Sequence, residues 1–290
     1  MEKPFLSIVM LTYAHEKFIQ QSIEGVFQQK TNFIVELIIA NDNSPDETDD
    51  IVKSVISNAP SNIQINYKRH STNLGMMRNF IWALKEAKGK YVAICEGDDY
   101  WIDSLKLQKQ VDFLEANADF TVHCHNFKTQ NGSIVSAESH FDTLNPATEM
   151  TISDLSKNNI IPTLTAVFRN QELSFPDWTL QSPLGDIILF LQVVKNGKIK
   201  YLNEKMAVYR QNVGVWSGKK MDQQKMIYLF ENLADEYKDL PQVRQNLLSN
   251  KNRHVKALLK EMKISKILVN HYFKKLSFTE KAKLIAQKII

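Results

Sequence analysis

The stretch YVAICEGDDYWIDSLKLQKQ, Tyr91–Gln110, places a short apolar strand directly before three acidic side chains. The apolar run Tyr91–Cys95 is typical of a buried β-strand, and Glu96, Asp98 and Asp99 follow it at once. Carboxylates this close repel one another, and each is costly to remove from water unless an opposite charge neutralises it. A divalent cation is the obvious partner, so the stretch predicts a cation site at the end of a strand.

Strand and helix signals alternate on the N-terminal side of this stretch. The apolar runs FLSIVMLT, FIVELIIAN, IQINYKRH and KYVAIC predict four strands, and segments with helical spacing separate them. This alternation is typical of an α/β fold with a mostly parallel, Rossmann-like sheet and helices on both faces. Ligands bind beyond the carboxyl ends of such strands, where we expect MLTYAHE, ANDNSPDET and CEGDDYW to meet.

The sequence beyond this region predicts further strands and a helical end. FTVHCHNF, TAVFR, KIKYL and MAVYR have strand character, and an apolar helix follows Asp186. From Ser217 onwards apolar residues recur at helical spacing, and Pro241 separates two of the helices. We therefore expect an α/β domain at residues 1–217 and a C-terminal helical segment at residues 218–290.

The composition is that of a globular protein, with 290 residues, 43% hydrophobic and 23% charged. Cys95 and Cys124 lie in apolar stretches and give no disulfide framework, which favours a reducing compartment. The N-terminal apolar run is too short for a secretory signal, and no run of about 18 apolar residues predicts a membrane span.

Positive charge is concentrated at the C-terminal end. Residues 251–290 hold 11 Lys or Arg against 2 Asp or Glu, and the rest of the chain holds 25 against 30. Basic amphipathic helices suit peripheral contact with an anionic membrane surface. Packing of this tail on the α/β domain or on a second subunit explains it equally well, so a homodimer stays open. A nucleic acid is not the expected partner, although a nucleic-acid binder remains a rival interpretation.

Several motifs, taken in order, resemble the family 2 glycosyltransferases, which have the GT-A fold. The motifs are SIVMLTYAHEKFIQQSI, ELIIANDNSPDET, NLGMMRN and GKYVAICEGDDYW, and the likeness continues through GDIILFLQVVKNGKIKYLNEKMAVYRQN, over residues 5–218. The resemblance implies inverting transfer from a UDP- or dTDP-sugar to a hydroxyl of a glycan or lipid-linked acceptor, with Mg²⁺ or Mn²⁺. It also implies bacterial surface polysaccharide synthesis in the cytoplasm, at the inner face of the cell membrane.

The acidic stretch takes the metal-binding role in this resemblance. Asp98 and Asp99 would hold the cation against the donor diphosphate, and Glu96 would face the ribose or the sugar. Mg²⁺ typically binds one or two carboxylates plus substrate phosphates, which agrees with this assignment. Relatives commonly have Asp where Glu96 stands, which is a departure from the pattern. The local alternative is an Asp-rich turn that caps the helix beginning near Ser104.

The expected nucleotide-sugar site also includes Thr12, Tyr13, Asp42 and Arg78. The resemblance implies that Tyr13 stacks on or flanks the base, and that Asp42 accepts the imide N–H of uracil or thymine. Arg78 near a helix start opposes the helix dipole, which a diphosphate would compensate. The alternatives are packing for Tyr13, an Asx-turn for Asp42 and a surface ion pair for Arg78. His15 is expected near the rim.

Asp186, in SPLGDIILFLQ, is the expected general base by the same resemblance. Inverting transfer needs a base on the face opposite the departing diphosphate, within hydrogen-bond reach of the acceptor hydroxyl. The local alternative is a helix N-cap. Asn212 stands where relatives often have a metal-binding His, so a third protein ligand is left open. Arg210 and Trp216 are expected to close over the diphosphate or the acceptor.

Two rival functions share parts of this pattern. A sugar-phosphate nucleotidyltransferase would usually have a Gly-rich phosphate loop after the first strand, and MLTYAHEKF has no glycine. A non-catalytic nucleotide-sugar-binding protein would keep the pocket and lack transfer activity. Replacing the expected base distinguishes this second rival from an enzyme.

Overall fold

The computed structural model describes residues 2–213, 221–262, 270–275 and 281. These residues fall into two units, one drawn from Met1–Leu180 and Leu184–Lys219 and the other from Gln181–Pro183 and Lys220–Ile290. The sequence-based ranges 1–217 and 218–290 stay a prediction.

One mixed sheet lies at the centre of the first unit. Its main path runs in the order β3-β2-β1-β4-β9-β6-β10-β5, with β7 paired to β6 and β8 paired to β10. The parallel pairs have the longest registers, so the predicted mostly parallel α/β fold is confirmed. The strands are β1 Leu6–Thr12, β2 Val35–Asn41, β3 Ile63–Arg69, β4 Tyr91–Ile94, β5 Tyr100–Trp101, β6 Phe120–Asn131, β7 Ile134–Ser136, β8 Glu149–Met150, β9 Val167–Arg169 and β10 Lys198–Arg210.

The helices of the described residues alternate with the first strands and then form the second unit. They are α1 Ile19–Phe27, α2 Thr48–Ile56, α3 Met76–Glu86, α4 Lys106–Ala116, α5 His140–Leu144, α6 Ile152–Lys157, α7 Asp186–Val193, α8 Gln223–Glu236 and α9 Pro241–Glu261, followed by a short helix at His271–Lys275. Pro241 is the first residue of α9, where its missing N–H costs no helical hydrogen bond. The predicted separation of two helices there is confirmed.

One predicted pair of strands is a single strand. KIKYL and MAVYR were expected as two strands, and both belong to β10. Its pairing with β6 shifts register between Leu202 and Lys205 and again between Lys205 and Val208. These irregularities lie around the polar residues that separate the two apolar runs. The break in apolar character therefore bends the strand instead of ending it.

Strands inside the sheet are more buried than the strand β3 at its edge. β2 is buried at every position and β1 at all but one, because both have neighbouring strands on each side. β3 ends in exposed residues because it lies at an edge. The parallel register brings Thr12 level with Asn41, and Gly97 N–H donates to Leu11 O over 2.8 Å. The carboxyl ends of β1, β2 and β4 thus meet at one edge of the sheet.

The second unit is helical in its described part. Ile227 of α8 packs in one apolar cluster with Val255 and Leu259 of α9 and with Phe273. No described helix has the length and apolarity that crossing a membrane requires. The predicted apolar stripe through Ile264, Ile267 and Leu268 lies outside the described residues, and membrane contact by the basic tail stays a prediction.

Candidate functional site

Six of the predicted site residues line one cavity of about 370 Å³ at the carboxyl ends of β1, β2 and β4. They are Thr12, Tyr13, Asp42, Glu96, Asp98 and Asp99. They come from three separate chain segments that parallel pairing aligns. Arg78 and Asp186 are not among the lining residues. The cavity lies where open α/β sheets bind their ligands.

The turn after β4 that carries Glu96, Asp98 and Asp99, here called the acidic turn, concentrates negative charge in a buried place. Burial, followed by the charges of Asp98 and Asp186, raises the pKa of Glu96 to about 8. Burial and the charges of Asp98 and Glu96 raise the pKa of Asp99 well above its usual value. Three carboxylates in this environment cannot all ionise without added positive charge. The donor set, all carboxylate oxygen, fits Mg²⁺ or Mn²⁺.

Asp98 and Asp99 differ in what their side chains contact. The side chain of Asp98 is 19% exposed, and its Oδ2 lies 3.8 Å from Nε2 of His15. Asp99 is 2% exposed, and its Oδ1 accepts a hydrogen bond of 2.8 Å from the backbone N–H of Arg210. Among the described residues, no three His, Cys, Asp or Glu side chains form a complete metal-binding set. Asp98 is therefore the more accessible of the two expected metal ligands.

Arg210, at the end of β10, binds the acidic turn through its backbone N–H and its guanidinium group. Its guanidinium donates to the carbonyl oxygen of Asp98 over 2.6 Å and to the side-chain oxygen of Gln21. It also lies 4.5 Å from the ring centroid of Tyr100 and 5.1 Å from that of Phe18. Arg210 is 5% exposed and all these contacts are with protein. Its contacts fix the acidic turn, and its charge offsets part of the repulsion there.

The acidic turn does not serve as the cap of α4. The N-cap residue of α4 is Leu105, and Asp103 makes the local turn before it, since its Oδ1 accepts the N–H of Leu105 over 2.7 Å. A similar division occurs after β2, where Asp46 accepts the N–H and hydroxyl of Thr48 at the start of α2. Asp46, and not Asp42, therefore makes the side-chain turn at the start of α2. Asp103 and Asp46 thus fill the ordinary turn roles that were the alternatives for Asp98, Asp99 and Asp42.

Asp42 connects the end of β2 to the loop before α3. Its two carboxylate oxygens accept the backbone N–H groups of Leu74, over 2.6 Å, and Gly75, over 3.0 Å. The side-chain amide of Asn73 donates to the carbonyl oxygen of Asp42 over 3.1 Å. Gly75 has φ of 84°, in the left-handed region that favours glycine. Asp42 thus fixes one wall of the cavity and lines it too.

The turn after β1 directs His15 into the cavity. Ala14 has φ of 57°, which is uncommon for a residue with a side chain. The turn is held by Ser44 Oγ and Thr48 Oγ1, which accept the N–H groups of Ala14 and His15 over 3.1 Å and 2.9 Å. His15 is 7% exposed and lines the cavity beside half-buried Tyr13. The prediction that His15 lies near the rim was wrong, because the left-handed turn folds it inwards.

Asp186 is the first residue of α7, and the residue before the helix is Gly185. The alternative that Asp186 is the N-cap residue is therefore wrong, because Gly185 takes that position. Oδ1 of Asp186 accepts the N–H of Ile187 over 2.8 Å, and Oδ2 accepts the amide of Asn159 over 2.5 Å. Burial raises the pKa of Asp186. Its charge helps to raise the pKa of Glu96, so the two carboxyl groups lie within electrostatic range of each other.

The roles expected for Arg78, Asn212 and Trp216 stay predictions. Arg78, the third residue of α3, is exposed, and its contact with a diphosphate stays a prediction. Asn212 is exposed in a left-handed turn, and its amide lies 3.4 Å from Oδ1 of Asn131. Its role at a metal also stays a prediction. Trp216 lies outside the described residues.

Sequence reasoning missed two polar groups around the site. Asn159, in the loop after α6, carried no signal because isolated asparagines in loops are common. Lys106 is fully buried in α4, with Nζ 2.9 Å from Oε1 of Gln110 and 4.1 Å from the ring centroid of Trp101. Burial lowers its pKa to about 7. The helical spacing of Lys106 and Gln110 was the available signal for that pair.

A comparison with protein families identifies the chain. The sequence model of glycosyl transferase family 2 matches residues 7–172. The chain belongs to glycosyl transferase family 2. The matched region contains every lining residue assigned from sequence, from Thr12 to Asp99. Asp186 lies beyond it.

Two curated relatives of this family 2 chain extend over most of its length. An uncharacterized protein of Mycobacterium tuberculosis is 34% identical over 223 residues, which is 76% of this chain and 63% of that protein. The aligned part therefore spans less than two thirds of that relative. The UDP-Glc:alpha-D-GlcNAc-diphosphoundecaprenol beta-1,3-glucosyltransferase WfaP of Escherichia coli is 27% identical over 216 residues, 74% of this chain and 80% of that enzyme.

Solved structures show that the fold is GT-A. TarS of S. aureus in complex with UDP-GlcNAc has a TM-score of 0.65 at 20% identity and covers 98% of this chain and 80% of its own. The mannosyltransferase PcManGT of Pyrobaculum calidifontis, in complex with GDP-Man and Mn²⁺, has a TM-score of 0.57 at 15% identity, over 100% of this chain and 87% of its own. At these identities the likeness concerns the fold.

Proposed function

We propose that this family 2 chain transfers a sugar, with inversion, from a UDP- or dTDP-sugar to a hydroxyl of a glycan or lipid-linked acceptor. The observation that carries the proposal is the cavity that joins Thr12, Tyr13 and Asp42 to the acidic turn after β4. The family match and a glucosyltransferase relative whose name specifies a UDP-Glc donor and a diphosphoundecaprenol acceptor support it. We assign the activity to bacterial surface polysaccharide synthesis.

Asp98 and Asp99 would hold Mg²⁺ or Mn²⁺ in this proposal. Asp98 offers the accessible carboxylate and Asp99 the one that Arg210 fixes. When bound, the cation would neutralise the charge that develops on the leaving diphosphate. Glu96 would face the ribose or the sugar. Without the cation, burial and the charges of Asp98 and Asp186 raise the pKa of Glu96 to about 8.

Asp186 would take the proton from the acceptor hydroxyl. Its carboxylate is held on both oxygens, by the N–H of Ile187 and by Asn159. The raised pKa makes it a stronger base than an exposed aspartate. Its charge acts on Glu96, which lines the cavity, so Asp186 lies near the proposed donor site.

The proposal is tested with a panel of UDP-, dTDP- and GDP-sugars, with Mn²⁺ and with a lipid-linked saccharide acceptor. We expect release of nucleoside diphosphate and, by NMR of the product, a glycosidic bond of inverted configuration. A retained configuration would overturn the inverting mechanism. Formation of a nucleotide sugar with pyrophosphate release would favour a nucleotidyltransferase, and binding without turnover would favour a non-catalytic protein.

We also propose that the chain works at the inner face of the cell membrane, through its basic C-terminal residues. The support is the excess of 11 basic over 2 acidic residues in 251–290. The full-length protein should co-sediment with vesicles that contain anionic lipid and should be released by high salt. Equal sedimentation with neutral vesicles would contradict an electrostatic attachment.

A further inference from the structure

Two buried polar side chains of the cavity have no hydrogen-bond partner among the described residues. The hydroxyl of Thr12 and both ring nitrogens of His15 are buried and make no hydrogen bond within the described part of the chain. Thr12 is 2% exposed, His15 is 7% exposed, and both line the cavity. A buried polar group without a hydrogen-bond partner destabilises the folded protein. Because both residues line the cavity, a ligand bound there could supply the missing hydrogen-bond partners.

The Thr12 hydroxyl and the His15 ring nitrogen Nδ1 both lie close to the backbone of Gly97. A Cβ atom built on Gly97 would come 2.9 Å from Nδ1 of His15 and 2.9 Å from Oγ1 of Thr12. The other ring nitrogen, Nε2, lies 3.8 Å from Oδ2 of Asp98. Nδ1 of His15 and the Thr12 hydroxyl therefore form a pair of hydrogen-bond donors next to the expected metal ligand.

A diphosphate in this cavity needs hydrogen-bond donors close to the carboxylates of the wall. Among the described residues that line it, Asp42, Glu96, Asp98 and Asp99 are acidic, and none is Lys or Arg. The guanidinium of Arg210 already donates to Asp98 O and Gln21, and Arg78 is not part of the wall. Beside the carboxylates of the wall, the hydroxyl of Thr12 and the ring nitrogens of His15 are polar groups without a hydrogen-bond partner among the described residues.

We propose that His15 is a donor-binding residue whose Nδ1–H, together with the hydroxyl of Thr12, donates a hydrogen bond to the diphosphate of the nucleotide sugar. The inference rests on the proposed function, because it assumes a nucleoside diphosphate donor. It adds a direct protein contact to the phosphates beside the cation. The left-handed turn at Ala14 directs the imidazole to this position.

Isothermal titration with UDP and with uridine separates phosphate contacts from base contacts. His15→Phe keeps the ring and loses the donors, so we expect UDP to bind about 10–100-fold more weakly, the usual loss for a hydrogen bond to a charged group. The affinity for uridine should change less than about twofold. His15→Asn retains an N–H near Nδ1 and should recover most of the UDP affinity. Thr12→Val, of similar shape, should weaken UDP binding in the same direction.

A second set of titrations in EDTA distinguishes a direct contact from one through the cation. The loss caused by His15→Phe should persist without Mn²⁺, and a loss confined to Mn²⁺ would overturn the direct contact. Equal UDP affinity of wild type and His15→Phe would also overturn it, with the proposed function intact. If the wild-type protein bound none of UDP, dTDP and GDP, the proposed donor class would fail as well. Unchanged or raised melting temperatures of the variants would show that folding is preserved.

Discussion

The side-chain amide of Asn159 lies 2.5 Å from Oδ2 of Asp186, on the oxygen that the helix does not bind. The other oxygen accepts the N–H of Ile187 over 2.8 Å. A carboxylate held at both oxygens has one orientation, which a general base needs in order to meet an acceptor hydroxyl. Both bonds lower the pKa of Asp186 and oppose the effect of burial, which raises it.

Asn159→Ala should move the acidic limb of the pH–rate profile to higher pH. The base works when deprotonated, and removing a hydrogen bond to the charged form raises its pKa, so activity is lost at higher pH than in the wild type. The measurement is kcat/KM for transfer between about pH 5 and pH 9. Asn158→Ala, at the exposed neighbouring asparagine, should leave the profile in place. Coincident profiles for Asn159→Ala and wild type would refute the positioning role.

Asp186→Asn should remove transfer and keep donor binding. The amide has nearly the shape of the carboxylate and cannot accept the acceptor's proton, so we expect kcat to fall about 10²–10⁴-fold. UDP affinity, measured by calorimetry, should change less than about twofold. Asp177→Asn, at an exposed aspartate of the same domain, is the control and should transfer at the normal rate. Normal transfer by Asp186→Asn would mean that another residue is the base.

Gly97→Ala should weaken nucleotide binding. The added Cβ would come 2.9 Å from His15 Nδ1 and Thr12 Oγ1 and 3.0 Å from Ile19 Cδ1, so these atoms have to move. We expect UDP affinity to fall about tenfold, since the two donors shift. Gly132→Ala is the control, because its φ of 58° strains alanine while no atom lies within 4 Å of the new Cβ. It should lose about 1 kcal/mol of unfolding free energy and retain UDP affinity.

Lys106→Met should change how stability depends on pH. Burial lowers the pKa of Lys106 to about 7 in the folded protein, below the 10.5 of an exposed lysine. Between these values the unfolded chain binds more protons, so wild-type stability rises with pH by at most about 1.4 kcal/mol per pH unit. The variant lacks this contribution.

Urea unfolding at about pH 7 and pH 9 measures the effect. We expect Lys106→Met to be more stable than wild type at pH 7 and the difference to shrink at pH 9. Lys109→Met is the control, because hydrogen bonds from Lys109 to Asp103 and Glu204 raise its pKa and keep it charged over this range. Its difference from wild type should be the same at both pH values. A constant difference for Lys106→Met would mean that Lys106 is charged when folded.

Local patterns predicted the sheet and most of the cavity wall. The apolar runs of β1, β2 and β4 are nearly continuous because these strands are central, and their acidic ends therefore had to meet at one edge. The apolar runs alone therefore predicted that Thr12, Asp42 and Asp98 lie around a common site. The assignment of individual roles came from the family resemblance, and the roles stay predictions.

Local sequence patterns did not predict contacts that depend on an unusual backbone conformation or that join distant segments. The inward position of His15 depends on a positive φ at Ala14, a residue that does not signal such a turn. The bond from Asn159 to Asp186 joins two loops that no local pattern relates. The single strand β10 was read as two because a polar insertion looks the same whether the chain turns or bulges.

The bond between Arg210 N–H and Asp99 joins residues that are 111 positions apart. A ribosome adds about 5–20 residues each second, so some 6–20 seconds pass between the synthesis of these two residues. During that interval the carboxylate of Asp99 lacks the backbone N–H of Arg210 that later binds it. The cavity wall, which includes Tyr209, thus cannot be complete until β10 has been synthesised.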